Sequence, residues 1–279
     1  MKILVTGGSG QLGREISKQM SSEHQLIIPT LEQLDIVNYT QVKAIFEQVK
    51  PAAVIHCAAY TNVDGAEGDH DGAFKVNVVG TQNLAAHCLQ HYARMVYVST
   101  DYVFDGQSSK DYREYDQTNP LNVYGKTKLL GEKMVQQLLG RHYIIRTAWL
   151  YGDGHNFVKT MLRLASERER LQVVNDQVGS PTFTQDLTTV IQNLIITDSY
   201  GTYHASCKGN CTWYDFAVKI FELTRKNIQV EPVSTDLFPR PAKRPSRSVL
   251  ENYMLHMTIG DPMRQWEEAL QDHLKQLGQ

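Results

Sequence analysis

The sequence predicts an α/β protein built on a doubly wound parallel sheet, with a smaller mixed α/β lobe toward its C-terminus. Three observations carry this. Short apolar runs alternate with helix-like segments through the first two-thirds of the chain. Those runs are apolar on both faces, as strands are when helices cover each side of the sheet. The first run leads directly into a glycine-rich turn.

A chain of 279 residues with 42% hydrophobic content is long enough to bury a full core. Twenty-eight basic against thirty acidic side chains give a net charge of -2, so no global field attracts nucleic acid or an anionic membrane. The partner is expected to be a small molecule. The opening "MKILVTGG" has too short an apolar stretch for a signal peptide and reads as a first strand. No apolar run approaches the ~20 residues of a membrane span, and the expected location is the cytoplasm. Cys57, Cys88, Cys207 and Cys211 lack the paired spacing of a disulfide framework or a zinc site, so reduced structural thiols and no metal site are expected.

In chain order, strands are read at "KILVT", "HQLIIP", "AAVIHCA", "RMVYVST" and "HYIIRTA", with "NYTQVKAIFEQVK" the clearest helix between them. These runs place a dinucleotide-binding domain at residues 1–150. Residues 151–279 form mainly the second lobe, with the chain crossing between the two. There, helices are read at "NFVKTMLRLASERER", "TQDLTTVIQNLIIT", "TWYDFAVKIFELTR" and "MRQWEEALQDHLKQL", and a short strand at "LQVVN". Four of the nine prolines fall in "PVSTDLFPRPAKRPSR", residues 232–247. Proline neither donates to a ladder nor sits inside a helix, so this segment is expected to be an irregular loop.

The turn after the first strand, "GGSGQLG", sets Gly7, Gly10 and Gly13 three apart and opens a helix near Gln11. Glycine there permits a tight turn and lets backbone amides approach a pyrophosphate at the positive end of the helix. Position confirms the motif, because it follows a strand and precedes a helix in a βαβ series. An acidic residue some ~20 positions on would hold the adenosine ribose, and Glu32 and Asp35 are the candidates. No lysine or arginine occurs between Ser21 and Val42, which favours NADH, while Arg14 beside the loop keeps NADPH open.

Tyr124 and Lys128, four apart in "NPLNVYGKTKLLGEK", share one helix face. Asn122 reads as the N-cap and Gly140 as the C-terminal stop. A tyrosine near an ammonium is expected to have a lowered pKa and to protonate a carbonyl oxygen while hydride reaches its carbon. The strand "RMVYVST" ends at Ser99 or Thr100, at the carboxyl edge of the sheet, where one hydroxyl can donate to the same oxygen. Gly125 is expected to leave room for a ligand.

This Ser/Thr and Tyr-x-x-x-Lys set with a G-x-x-G-x-x-G loop resembles the extended short-chain dehydrogenases/reductases. The stretches "AAYTNVDGAE", "STDYVFDG", "RTAWLYG", "DQVGSPT" and "RPAKRPSRSVL" resemble one branch, the dTDP-4-dehydrorhamnose reductase family, and the resemblance spans essentially the whole chain. It implies Thr100, Tyr124 and Lys128 as the catalytic set. It further implies Gly7, Gly10, Gln11, Leu12, Gly13, Asp35, Ile36, Ala58, Ala59, Tyr60, Thr61, Tyr124 and Lys128 around a nicotinamide dinucleotide, and Thr100, Asp101 and Trp149 against a nucleotide-sugar substrate. The reaction implied is reduction of the C4 ketone of dTDP-4-dehydro-β-L-rhamnose. Lys128 would hold the nicotinamide ribose, and one of Arg240, Lys243, Arg244 and Arg247 would meet the substrate diphosphate. A homodimer is compatible with the resemblance, since some members pair through bound magnesium, with Glu15 a candidate ligand.

Two other readings share parts of the pattern. A nucleotide-sugar epimerase or 4,6-dehydratase would keep the loop and the Tyr-Lys pair, but a dehydratase would need a glutamate after Asp101, where Tyr102 stands. A dinucleotide-binding regulatory subunit, like that of methionine adenosyltransferase, would keep the fold without the chemistry. The intact Thr100, Tyr124 and Lys128 favour an enzyme.

Overall fold

A computed structural model describes all 279 residues. The first half runs β1 (Lys2–Thr6), α1 (Gln11–Met20), β2 (Gln25–Ile27), α2 (Tyr39–Val49), β3 (Ala53–His56), α3 (Val63–Ala66), α4 (His70–Phe74), a π-helical turn (Lys75–Gly80), α5 (Thr81–Gln90) and β4 (Arg94–Thr100). A 3-10 turn (Asp101–Val103) follows, then α6 (Val123–Leu138) and β5 (His142–Thr147). The second half holds β6 (Leu150–Tyr151), α7 (Phe157–Glu167), β7 (Arg170–Val174), β8 (Val178–Gly179), β9 (Thr182–Phe183), α8 (Thr184–Ile195), β10 (Gly201–His204), β11 (Cys211–Thr212), α9 (Trp213–Leu223), β12 (Gln229–Val233), a second 3-10 turn (Thr235–Leu237), α10 (Tyr253–Thr258) and α11 (Trp266–Gln276).

Six strands form one parallel sheet in the order β10-β5-β4-β3-β1-β2. The order reverses between β1 and β3, and their carboxyl ends open the crevice in which open α/β sheets bind ligands. β10 supplies the outer strand, so residues beyond 200 return to the sheet of the first half. The core on one sheet face is continuous with the second half: Ile3 and Val5 of β1 share it with Phe216 and Ile220 of α9 and with Trp266 and Leu270 of α11. The opposite face closes under α2, α5 and α6 around Phe46, Leu84 and Val135. No helix is long and apolar enough to cross a membrane.

Local chemistry explains the boundaries. Asn38 caps α2 by accepting from the backbone amides of Thr40 and Gln41, and Thr212 with Asp215 forms a reciprocal capping box on α9. Asn122 caps α6 as its sequence position suggests, accepting from Gly125 N–H at 2.8 Å. Gly140 does not stop α6. The helix ends at Leu138, and Leu139 turns the chain in an extended conformation, φ -123°. The proline-rich segment departs from expectation at its start, because Pro232 lies inside β12, paired in parallel with Val173. β12 has only β7 beside it, and an edge strand tolerates a residue without an N–H.

Beneath the crevice a buried polar chain ties β1 and β3 to the π-helical turn. Thr6 Oγ1 lies 2.7 Å from His56 Nδ1, His56 Nε2 lies 3.1 Å from Thr81 Oγ1, and Thr81 donates to the Asn77 carbonyl at 2.8 Å. The single Thr81 proton is thereby committed, so His56 Nε2 must donate and Nδ1 must accept from Thr6. Asn77 also accepts from Tyr60 N–H at 2.8 Å and donates to Thr127 Oγ1 at 3.0 Å, joining the loop after β3 to α6.

Candidate active site

A cavity of about 470 Å³ opens at the carboxyl ends of β1, β3, β4 and β5. Gly7, Gly10, Gln11, Leu12 and Gly13 form one wall, Ala59 and Thr61 a second, and Thr100, Asp101, Tyr124, Lys128 and Trp149 the rest.

The glycine wall is shaped for close approach. Gly7 takes φ +73°, and a Cβ on it would stand 2.6 Å from Ala58 N; a Cβ on Gly13 would collide with the Gly7 carbonyl. Gly10 is the N-cap of α1 and contributes no side-chain bond, which leaves first-turn amides free to meet an anion. A dinucleotide pyrophosphate fits this cradle. Ala58 and Tyr60 support it from outside the cavity lining: Ala58 N–H is directed at Thr6 Oγ1 at 3.5 Å, and Tyr60 is held by Asn77.

Asp35 and Ile36 stand away from this cavity. The Asp35 carboxylate accepts from Val37 N–H at 2.9 Å, and Ile36 is buried against Gly80. Glu32 sits on an exposed turn. The residues that directly follow β2 are Ile28, Pro29 and Thr30, with Ile28 packed over Gly8, so no acid stands at the end of that strand. Arg14 is held at the cavity rim by the Ser9 and Asp153 carbonyls and by the Asp153 carboxylate at 3.2 Å.

Thr100, Tyr124 and Lys128 converge on one space. The two neighbouring hydroxyls of β4 both line the cavity but differ in their bonds: Ser99 donates to Glu132 Oε1 at 2.5 Å, while Thr100 stands beside the Tyr124 phenol. Lys128 Nζ donates to the Val98 carbonyl at 2.7 Å and lies 4.1 Å from the centre of the Tyr97 ring. The lowered tyrosine pKa expected from the sequence does not occur. Burial pushes Tyr124 up to about 12, against a lowering contribution from Thr100, and pushes Lys128 down to about 7. Withdrawal from water dominates, the nearby Asp101 carboxyl adds to it, and the Lys128 ammonium is engaged by the Val98 carbonyl and the Tyr97 ring instead. Tyr124 is therefore a firmly protonated phenol. Gly125 also serves a different end than expected, for a Cβ there would collide with the Tyr102 carbonyl. It lets α6 close on the 3-10 turn that carries Asp101.

Trp149 occupies the left-handed region, φ 46°, a strained conformation for a bulky residue. Its indole stacks on Trp213 with centroids 3.5 Å apart and planes 7° apart, and Gly179 backs its edge. The basic cluster is mostly neutralised: Arg244 grips Asp64 in a two-point pair at 3.0 and 2.9 Å, Arg247 pairs with Asp111 at 2.5 Å, and Arg240 lies 3.8 Å from Asp64. Lys243 is exposed. Arg240 and Arg244 line a neighbouring cavity of about 350 Å³ with Phe157 and Trp213. The Glu15 carboxylate accepts from the Gln19 side chain at 2.8 Å, and no cluster of three or more His, Cys, Asp or Glu is placed to hold a metal ion.

Sequence reasoning missed Cys57, Val98, Thr147, Ala148 and Leu150, all of which line the cavity. Cys57 sits one residue past β3, Thr147 ends β5 and Val98 lies two residues before the end of β4, which the sheet-edge rule could have found. Glu132, Arg146 and Ser248 carried no local signal.

A parallel sheet with a glycine cradle at its switch point, and a Tyr-Lys pair facing a threonine hydroxyl across the cavity, defines an oxidoreductase of the extended short-chain dehydrogenase/reductase class. The family model described as RmlD substrate binding domain matches residues 1–279. A dTDP-4-dehydrorhamnose reductase of Aggregatibacter actinomycetemcomitans is 39% identical, with 97% of each chain covered. A crystal structure of a dTDP-4-dehydrorhamnose reductase from Clostridium acetobutylicum is 51% identical, TM-score 0.99, covering 100% of both chains. The Bacillus anthracis dTDP-4-dehydrorhamnose reductase, solved in complex with NADP, is 42% identical, TM-score 0.97, covering 99% of both. The chain belongs to the dTDP-4-dehydrorhamnose reductase family.

Proposed function

We propose that this protein reduces the C4 ketone of dTDP-4-dehydro-β-L-rhamnose to the alcohol of dTDP-β-L-rhamnose, with NADPH as reductant. The observation that carries the reading is the convergence of Thr100, Tyr124 and Lys128 on one cavity beneath the glycine cradle, in a chain that aligns end to end with reductases of this name. NADPH is supported over NADH by the NADP in the Bacillus anthracis relative and by the lack of an acid directly after β2.

When bound, the nicotinamide supplies hydride. Tyr124, held as the phenol, gives its proton to the C4 oxygen, and the Thr100 hydroxyl supports the charge that develops there. Lys128 has spent one of its three N–H donors on Val98, and the other two are proposed to hold the nicotinamide ribose. The amides around Gly10 to Gly13 take the pyrophosphate, with Gln11, Leu12, Ala59 and Thr61 beside it. In this reading the adenosine lies beyond the reaction cavity, toward Asp35 and Ile36.

In this reading residues 1–150 hold most of the cofactor and residues 151–279 most of the substrate. Trp149 walls the deoxysugar with its apolar face. The nucleoside diphosphate extends past the Trp149–Trp213 stack into the cavity lined by Arg240 and Arg244. A cytoplasmic location and a homodimer accompany the reading.

Product identification tests it. Incubation with NADPH and the 4-dehydro sugar nucleotide should give dTDP-β-L-rhamnose by NMR; the C4 epimer, or unchanged ketone, would contradict it.

A further inference from the structure

The Asp101 carboxyl has a bonding pattern that its place as a wall of the cavity does not explain. The side chain is buried; Oδ1 accepts from Thr100 Oγ1 at 3.0 Å, and Oδ2, also buried, completes no well-formed hydrogen bond, although the Ser248 hydroxyl stands close enough to favour the ionised form. Thr100 faces it from β4, Tyr124 from α6, and Ser248 from the segment ahead of α10. The Tyr102 phenol adjoins it, and Arg244 and Asp64 lie near that phenol in turn. No cation is among the main influences on it.

A threonine hydroxyl has one proton and two acceptor positions. Thr100 Oγ1 already accepts from Tyr102 N–H at 3.2 Å. With Asp101 ionised, the single Thr100 proton is committed to Oδ1, and none remains for a carbonyl oxygen in front of Tyr124. With Asp101 protonated the direction reverses: the carboxyl O–H fills the second acceptor position of Thr100, and the Thr100 proton is released toward the cavity.

We propose that Asp101 is a positioning residue that works as the neutral acid, donating to Thr100 Oγ1 and so aiming the Thr100 hydroxyl at the reacting carbonyl oxygen. Asp101 keeps its proton throughout, so it adds nothing to the balance of the reduction. Burial, which outweighs the hydrogen bonds from Ser248 and Thr100, holds this carboxyl at about 6, above the usual carboxylate range, which keeps a neutral population close to neutral pH. The inference rests on the reductase reading.

The test compares wild type and Asp101→Asn, saturated with NADPH and given the 4-dehydro sugar nucleotide, across the pH range. The asparagine amide donates to Thr100 at every pH. Lys128 titrates higher, at about 7, and its effect cancels in the ratio of the two enzymes. The ratio of kcat/KM, Asp101→Asn over wild type, should rise about tenfold as pH climbs from about 6 to about 7.5. Asp101→Leu, without a donor, should be slow at every pH.

An infrared difference spectrum of wild type minus Asp101→Asn gives a readout without turnover: the protonated-carboxyl band should vanish with a midpoint near 6. A flat ratio, or a midpoint near the ordinary ~4, would overturn the proposal. If Asp101→Asn does not fold, Thr100→Val takes its place. Losing the hydroxyl should erase the limb near 6, and its persistence would show that Asp101 does not act through Thr100. Should wild type fail to turn over, the reductase reading falls, while the infrared midpoint still reports on Asp101.

Discussion

Glu132 grips Arg146 in a two-point ion pair, Oε1 to Nε at 2.9 Å and Oε2 to Nη2 at 2.7 Å, with both side chains almost wholly withdrawn from water. Glu132 lies one turn beyond Lys128 on α6, and its Oε1 also takes the Ser99 proton at the end of β4. The pair therefore locks the helix that carries Tyr124 to β5, and the Ser99 bond ties it to the strand that carries Thr100. Glu132→Ala would leave the Arg146 charge buried and unpaired, which should destabilise the fold by roughly 3–5 kcal/mol in urea unfolding. The double variant Glu132→Met with Arg146→Met, which removes both charges, should recover much of that loss. Equal instability of the single and double variants would show that the charge pair is not the cause.

Tyr124→Phe removes the proton donor and little else, since the phenol oxygen makes no bond that holds the fold. Its kcat should fall by about 10²-fold or more, while NADPH affinity, read by nicotinamide fluorescence, stays near wild type. A kcat close to wild type would place the proton donor on another residue.

Gly179 leaves the space that the strained Trp149 occupies, and a Cβ there would stand 2.5 Å from Trp149 Cε2. Gly179→Ala should push the indole off Trp213, alter the near-ultraviolet circular dichroism of the stacked pair, and raise the substrate KM about tenfold or more, about what the loss of one good contact costs. The KM for NADPH should not move. Unchanged spectra and KM would mean that the wall tolerates the methyl.

His56 and His204 are buried, and that burial lowers both to about 3 from an ordinary 6.5. An unfolded chain takes up these two protons below 6.5, whereas the folded chain resists until about 3. Their contribution to stability is therefore complete above pH 6.5 and drains away as pH falls toward 3. Thermal unfolding followed from pH 7.5 downward should show Tm falling most steeply across that window. A Tm that holds steady down to pH 4 would contradict the buried neutral histidines.

Much of the molecule was legible because its signals are local. The glycine cradle, the Asn122 cap and the Tyr124–Lys128 spacing each lie within a few residues, and the apolar runs of β1, β3, β4 and β5 mark strands covered on both faces. What stayed hidden depends on residues far apart in the chain. Glu132 meets Arg146 only once β5 pairs with β4; Trp149 meets Trp213 only when α9 is packed; Ser248 reaches Asp101 from nearly 150 positions away. The tyrosine pKa departs from expectation for a related reason. Spacing reveals that an ammonium is near, but the degree of burial that overrules it belongs to the assembled cavity. Gly125 misled likewise, its neighbour being the Tyr102 carbonyl on another element.

The most direct test is oxidation of NADPH, followed by nicotinamide absorbance, with the purified protein and dTDP-4-dehydro-β-L-rhamnose. Absorbance should fall only when the sugar nucleotide is present, with one cofactor consumed per ketone reduced, and the rate should collapse in Tyr124→Phe. Absorbance that stays constant with both NADPH and NADH would contradict it.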